Sequence, residues 1–129
     1  MFKDSNAFSS FSVNDLETAK KFYGEVLGLE VSDNPMGVLE LHIKGSSKIM
    51  VYPKPDHQPA TFTVLNFLAP DLDKAVDRMI GKGVTFEQYH TEHLNTDNKG
   101  IMRGNGQGPN IAWFKDPAGN ILSVIEEDK

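Results

Sequence analysis

The sequence predicts an α+β fold made of two βαβββ modules, with a mostly antiparallel, curved sheet around a cleft. Three observations support it. A strand–helix segment occurs twice. A glycine ends each predicted helix. The connections after each helix are too short for the crossovers that a parallel sheet needs. The aligned pairs in the two copies are Phe11 with Phe67, Asp15 with Asp71, Ala19 with Ala75, and Gly28 with Gly83.

The first module covers residues 7–52. Its opening segment, residues 7–13, alternates in places as a strand does. Asn14 or Asp15 then caps a helix, because either side chain can accept from the free N–H groups of the first turn. After the helix we expect a short strand and a hairpin, at residues 29–32, 38–43 and 49–52.

Residues 53–59 contain three prolines and form the predicted linker. The second module covers residues 60–126 and repeats the pattern, so residues 1–129 are interpreted as one domain. Its predicted strands are residues 60–68, 84–89, 110–115 and 121–125, with a helix that begins after Asp71. Residues 90–108 are polar and rich in glycine, which predicts a long functional loop.

Composition narrows the possible functions of this chain. It has 129 residues, a net charge of −5 and no cysteine. The absence of cysteine excludes thiol nucleophiles, disulfides and cysteine-bound metals. Acidic and basic residues are mixed, so no basic surface predicts a nucleic-acid partner. The first residues lack the pattern of a signal peptide and no apolar run has membrane length, so we expect no leader and a cytoplasmic protein without membrane contacts.

Two segments carry a resemblance to a known superfamily. They are Phe11–Leu29 (FSVNDLETAKKFYGEVLGL) and Trp113–Leu122 (WFKDPAGNIL). The chain resembles the vicinal oxygen chelate superfamily, which includes glyoxalase I, extradiol dioxygenases, and bleomycin and fosfomycin resistance proteins. The resemblance implies a glyoxalase-like domain, a cleft between modules and a homodimer. It also implies, for the enzymes, a divalent metal held by His or Glu from four strands.

In this chain the four positions that correspond to the metal ligands lack His and carboxylate side chains. They are Phe8, Val51 (within about one residue of register), Val64 and Ser123. We therefore expect no metal and no other cofactor. The substitutions instead predict an apolar cleft floor, to which Ser10 and Asn66 add polar contacts because they share a face with Phe8 and Val64.

Other side chains are candidates for ligand or metal binding. Arg103, flanked by glycines, either reaches into the cleft to bind an anionic or carbonyl group or lies in solvent. Trp113 and Phe114 point to opposite faces of one strand, so one of them faces the cleft. His90, Glu92 and His93 form the densest group of metal-capable residues, although a solvated loop is the simpler interpretation.

Three functional classes follow from these residues. The leading hypothesis is a protein of the bleomycin-resistance kind that has lost the usual metal ligands and binds a small apolar or aromatic molecule. The first alternative is a metal-dependent lyase, isomerase or dioxygenase of the glyoxalase type, and the second is a non-enzymatic interaction module. The sequence leaves open whether the chain catalyses any reaction, because one fold supports many activities.

Overall fold

The computed structural model describes residues 1–127. The chain divides into two compact units, residues 1–59 and residues 60–129. Each unit contains one four-stranded sheet with one helix.

The first unit has the element order βαβββ. Strand β1 is Ser10–Val13, helix α1 is Leu16–Lys21, and a π-helical turn, Phe22–Val26, continues it; strands β2, β3 and β4 are Glu30–Asn34, Val38–His42 and Ile49–Pro53. The sheet order is β1-β4-β3-β2, with β1 parallel to β4 and the other pairs antiparallel.

Helix α1 begins as its sequence predicts, but the α-helix ends at Lys21, and a π-helical turn that the sequence did not predict leads toward Gly28. Of the two candidate caps, Asp15 is the residue used, and its carboxylate accepts from the backbone N–H groups of Glu17 and Thr18 at 3.1 and 3.3 Å. Such a cap contributes about 1 kcal/mol to helix stability. Gly28, which follows the π-helical turn, has a φ of +72°, a conformation that costs glycine little.

The hydrophobic core of the first unit lies between its sheet and its helix. Phe11, Val51 and Leu39 are aligned across β1, β4 and β3, and all three are buried. The ring of Phe11 lies 6.0 Å from that of Tyr23, which continues from α1. This row therefore marks the helix-covered face of the sheet, and the next residues along each strand lie on the opposite face.

The second unit repeats this topology. Strand β5 is Thr63–Ala69, helix α2 is Leu72–Gly81, and strands β6, β7 and β8 are Ile101–Met102, Ile111–Lys115 and Ile121–Glu126. The sheet order is β5-β8-β7-β6, again with one parallel pair, β5 with β8. The two-module fold predicted from the sequence is confirmed.

The start of α2 matches that of α1 and has one further support. Asp71 adopts nearly the same backbone angles as Asp15, and its carboxylate accepts from the backbone N–H of Lys74 at 3.1 Å. Glu126, on β8, accepts from the backbone N–H of Leu72 at 2.9 Å. The last strand is thereby joined to the first turn of the helix.

The strand predicted at residues 84–89 is wrong. Phe86 makes only an isolated bridge to Phe114, and the fourth strand of the second sheet is β6, inside the segment predicted as a loop. Both segments use the same edge of β7, since Phe86 pairs near one end of it and Ile101 pairs with Ala112 near the other. The residues between them, 87–100, leave the sheet and return to it; we call this segment the excursion.

Among residues 1–127, neither helix is long and apolar enough to cross a lipid bilayer.

Candidate functional site

The second sheet brings three of the predicted site residues together on its open face, which we define as the face opposite α2. Ser123 on β8 is paired with Asn66 on β5 and with Trp113 on β7, so the three side chains form one row across the sheet. Glu126 contacts α2 and lies three residues after Ser123, which places Ser123 on the face away from the helix.

The polar part of this row is a hydrogen bond between two side chains. The hydroxyl of Ser123 is fully buried and donates to the side-chain oxygen of Asn66. Asn66 itself is exposed. In the described part of the chain its amide NH₂ has no hydrogen-bond acceptor, so it is free to donate to a ligand.

The aromatic part of the row is reinforced by the excursion. Tyr89 packs edge-on against Trp113, with ring centroids 5.7 Å apart and an interplanar angle of 82°. The backbone of Tyr89 exchanges hydrogen bonds with Thr96, whose side chain is buried. Tyr89 was not among the predicted site residues. The sequence predicted a strand at residues 84–89, and that prediction did not place Tyr89 beside Trp113 of β7.

Val64 and the first-module candidates Phe8 and Ser10 occupy other positions. Val64 is partly buried and lies at the irregularity in the pairing between β5 and β8. Phe8 precedes β1 and is 63% exposed. Ser10 is the first residue of β1 and is paired with Met50 on the open face of the first sheet, opposite α1.

Val51 does not lie on the open face of the first sheet. It is fully buried in the row with Phe11 and Leu39 on the helix side. The flanking residues Met50 and Tyr52 point to the open face instead. The uncertainty of about one residue in the alignment accounts for the difference, because a shift by one residue in a strand reverses the face.

Arg103 binds carboxylates of its own unit rather than lying free in solvent. Its guanidinium makes two hydrogen bonds of 2.9 Å to Asp73 on α2, and it also contacts Asp97 of the excursion at 3.1 Å. Lys99 extends the cluster by pairing with Asp73 and Asp77 at 3.3 and 2.9 Å. We call these five residues the helix–excursion cluster.

The cluster favours the ionised forms of Asp73 and Asp97. The hydrogen bonds from Arg103 are the main reason that the pKa of Asp73 lies far below its usual range. For Asp97, partial burial opposes ionisation, but the backbone N–H groups of Ile101 and Lys99, together with Arg103, lower its pKa overall. The positive charge of Arg103 is therefore already balanced by carboxylates. This makes Arg103 a poorer binding group for an anionic ligand.

A surface pocket of about 440 Å³ lies between the excursion and β6. Its lining includes His93, Thr96, Asp97, Met102 and Arg103. Three of its lining residues are charged. Asp97 and Arg103 are paired with each other, so the groups that remain for a ligand are the Glu92 carboxylate, the His93 imidazole, and amide, hydroxyl and thioether groups.

Comparison with known proteins identifies the family. The model of the Glyoxalase/Bleomycin resistance protein/Dioxygenase superfamily matches residues 8–124. The chain belongs to this superfamily. A search of curated protein sequences finds no match.

Several solved structures share the fold. An antibiotic-binding protein, TnmS3, from Streptomyces sp. CB03234 is 23% identical, with a TM-score of 0.67, and the match covers 97% of this chain and 98% of that one. A glyoxalase/bleomycin resistance protein from the same organism is 26% identical, with a TM-score of 0.63 and coverage of 94% and 99%. A lactoylglutathione lyase from Agrobacterium tumefaciens is 21% identical, with a TM-score of 0.65 and coverage of 95% and 93%.

The residues at the four positions that the resemblance implies for a metal do not fit a metal ion. Phe8 and Val64 carry no donor atom, Val51 lies in the core of the first unit, and the Ser123 hydroxyl already donates to Asn66. Metal sites are built from imidazole, carboxylate or thiolate groups. No part of a reaction is assigned to a metal in this chain.

The candidate metal group His90, Glu92 and His93 is not brought together as a metal site within residues 1–127. His90 contacts the side-chain oxygen of Asn95 at 3.1 Å through its Nδ1 atom. Across residues 1–127, no three His, Cys, Asp or Glu side chains are grouped so that they could hold a metal ion.

Proposed function

We propose that the chain binds a small apolar or aromatic molecule on the open face of its second sheet, without a metal. The observation that carries this proposal is the row of Trp113, Ser123 and Asn66, with Tyr89 packed against the indole. A flat indole supplies a large apolar contact, and the free NH₂ group of Asn66 supplies a directional hydrogen bond. This pairing fits a planar ring that carries an acceptor oxygen.

One comparison supports the ligand class. TnmS3, which shares the fold over nearly its whole length, is an antibiotic-binding protein. The residues at the metal positions of our chain agree with a function in binding rather than in metal catalysis. We assign no reaction to the site.

The proposal can be tested with the protein's own fluorescence, because Trp113 is its only tryptophan. We expect a planar aromatic compound from an antibiotic-like panel to quench this fluorescence in a saturable way. Calorimetry with the same compound should show affinity reduced about tenfold or more by Trp113→Ala. Stacking contributes about 0.5–1.5 kcal/mol beyond buried area, and 1.4 kcal/mol corresponds to tenfold.

Phe62→Ala is the matched control, since Phe62 is an exposed aromatic residue of the same unit that lies before β5. It should leave affinity within about twofold, the range expected for a surface change away from the site. Equal affinities for wild type and Trp113→Ala would refute the proposed site. Failure of every aromatic compound to quench Trp113 would count against the ligand class.

A further inference from the structure

The open face of the first sheet carries a carboxylate that sequence analysis did not single out. Glu40 on β3 lies between Met50 on β4 and Ser32 on β2, its paired neighbours in the sheet. Only 14% of its side-chain surface is exposed. A carboxylate so nearly covered needs partners that stabilise its charge.

The partners of Glu40 are found on one of its two oxygens. Oε2 accepts a 2.6 Å hydrogen bond from Asn34 and lies 3.7 Å from the Lys48 ammonium. The hydrogen bond from Asn34 is the main cause that lowers the pKa of Glu40, with smaller contributions from Lys48 and His42, against the opposing effect of burial. Glu40 is therefore a negative charge in the middle of the sheet at neutral pH.

The other oxygen, Oε1, is free to accept. The Nε2 atom of His42 lies 3.8 Å from it, which is beyond hydrogen-bond distance. That nitrogen already shares a 2.7 Å hydrogen bond with the hydroxyl of Ser32. Within residues 1–127, no donor lies within hydrogen-bond distance of Oε1.

The neighbours of Glu40 on this face favour an organic cation. Met50 is directly opposite Glu40, and Tyr52 is the next residue of β4 on the same face, on the diagonal that aromatic side chains can reach. Tyr52 is exposed. A phenol ring close to a carboxylate attracts cations through its π-electrons, and a methionine side chain offers a polarisable apolar surface.

We propose that Glu40 is the counter-ion of a binding subsite for a protonated amine on the open face of the first sheet. One free oxygen suits an ammonium group, whereas a guanidinium prefers both oxygens of a carboxylate. The subsite goes beyond the aromatic site proposed above, because it lies in the other unit and uses another ligand chemistry. The two are tested by separate variants.

The test is an NMR titration of the full chain with benzylamine hydrochloride, with benzyl alcohol as the neutral control of the same shape. We expect saturable, millimolar binding of the amine, typical of so small a ligand, that shifts the Met50 methyl signal and amide signals of β3 and β4. The alcohol should bind at least about tenfold more weakly, because it lacks the charge that Glu40 stabilises.

Three variants decide the assignment. Glu40→Gln should lower benzylamine affinity about tenfold or more, since the ammonium then meets a neutral amide. Glu30→Gln is the control, because Glu30 lies on the same face and is paired with His42. The affinity of this variant for benzylamine should stay within about twofold of the wild-type value. Lys48→Met should raise affinity about two- to threefold, because the Lys48 ammonium, 51% exposed, competes weakly for the same carboxylate.

The proposal is overturned if the amine and the alcohol bind equally, or if Glu40→Gln binds benzylamine as the wild type does. If Glu40→Gln does not fold, Lys48→Met decides: unchanged or lower affinity then overturns the proposal. Loss of aromatic binding in Trp113→Ala with normal benzylamine binding would separate the two sites.

Discussion

Arg103 connects three parts of the second unit. It follows β6 directly, binds Asp73 on α2 through two hydrogen bonds, and contacts Asp97 of the excursion. The sequence indicated Arg103 as a candidate binding residue. It could not show which residues Arg103 contacts, because Asp73 lies 30 residues away in the chain. Its role in the structure is to hold the excursion against the helix.

We expect Arg103→Met to lower the free energy of unfolding by about 1 kcal/mol. This value is at the upper end for partly exposed ion pairs, because the hydrogen bonding of Arg103 to Asp73 is bidentate. Urea denaturation measures this value directly. In high salt the difference from the wild type should shrink, since salt screens partly exposed charges. A difference that is equal at low and high salt would show that Arg103 acts through packing instead.

The same variant has an expected pH dependence. Folding lowers the pKa of Asp73, so this group stabilises the fold at pH values above its ordinary pKa, about 3.9. The contribution is lost as the pH falls below that value and Asp73 takes up a proton. The destabilisation by Arg103→Met should thus be complete at neutral pH and decline below about pH 4. A constant difference down to strongly acidic pH would contradict this origin.

The pairing along one edge of β7 explains why the strand predicted at residues 84–89 was wrong. Residues 84–89 have the alternation of a strand, and Val84 and Phe86 are indeed buried. Only Phe86 forms a bridge to β7, while the rest of that edge is taken by Ile101 and Met102. Periodicity reports which residues are buried, but it cannot show which of two segments pairs with a neighbouring strand.

The return of the excursion to β6 depends on Gly100. Its φ is +87°, and a Cβ atom there would lie 2.7 Å from the Cβ of Phe86. Gly100→Ala should therefore destabilise the protein by about 2–3 kcal/mol, from backbone strain plus the collision. Thermal or urea unfolding measures the loss.

Gly106→Ala separates the two causes, because Gly106 has a similar φ of +84° but open space around it. It should cost only the backbone strain, about 1 kcal/mol. If both substitutions lower the free energy of unfolding equally, the contact between the added Cβ atom and Phe86 is relieved with no loss of stability.

Elements fixed by local chemistry could be predicted well. Asp15 and Asp71 cap their helices with nearly the same backbone angles, and Gly28 and Gly83 both have positive φ values after them. Capping and left-handed glycines depend on a few adjacent residues, so the sequence shows them directly. The sequence selected Asn66, Ser123 and Trp113 one at a time, Asn66 and Trp113 through strand alternation and Ser123 through the family resemblance. Their common row, like the positions of Glu40 and Tyr89, needed the actual pairing of the strands.

At the scale of the whole molecule, the repeat in the sequence corresponds to a repeat in topology. Both units have the order in which the first strand lies beside the last, and the match to the superfamily spans residues 8–124. Membership fixes the fold but leaves the chemistry to individual side chains. The homodimer that the resemblance implies stays a prediction, because it depends on surfaces of a second chain.

Metal content is the property of the whole protein that separates a binding function from the glyoxalase-type alternative. We expect purified, untagged protein to hold far less than one Zn, Ni, Mn or Fe per chain after dialysis, as measured by elemental analysis. The reason is chemical: Phe8, Val64 and Ser123 offer one neutral hydroxyl where a metal needs charged or imidazole ligands.

The double variant His90→Ala/His93→Ala gives this measurement its control. If wild-type protein held nearly one metal per chain and the double variant held none, the metal would be bound by the excursion, and isomerase and dioxygenase assays would follow. If both proteins held metal equally, ligands outside the excursion would be responsible, and the metal-free proposal would fail. The metal-free binding function predicts two results together: low metal content in both proteins, and quenching of Trp113 fluorescence by an aromatic compound. A metal-dependent enzyme would not give this combination.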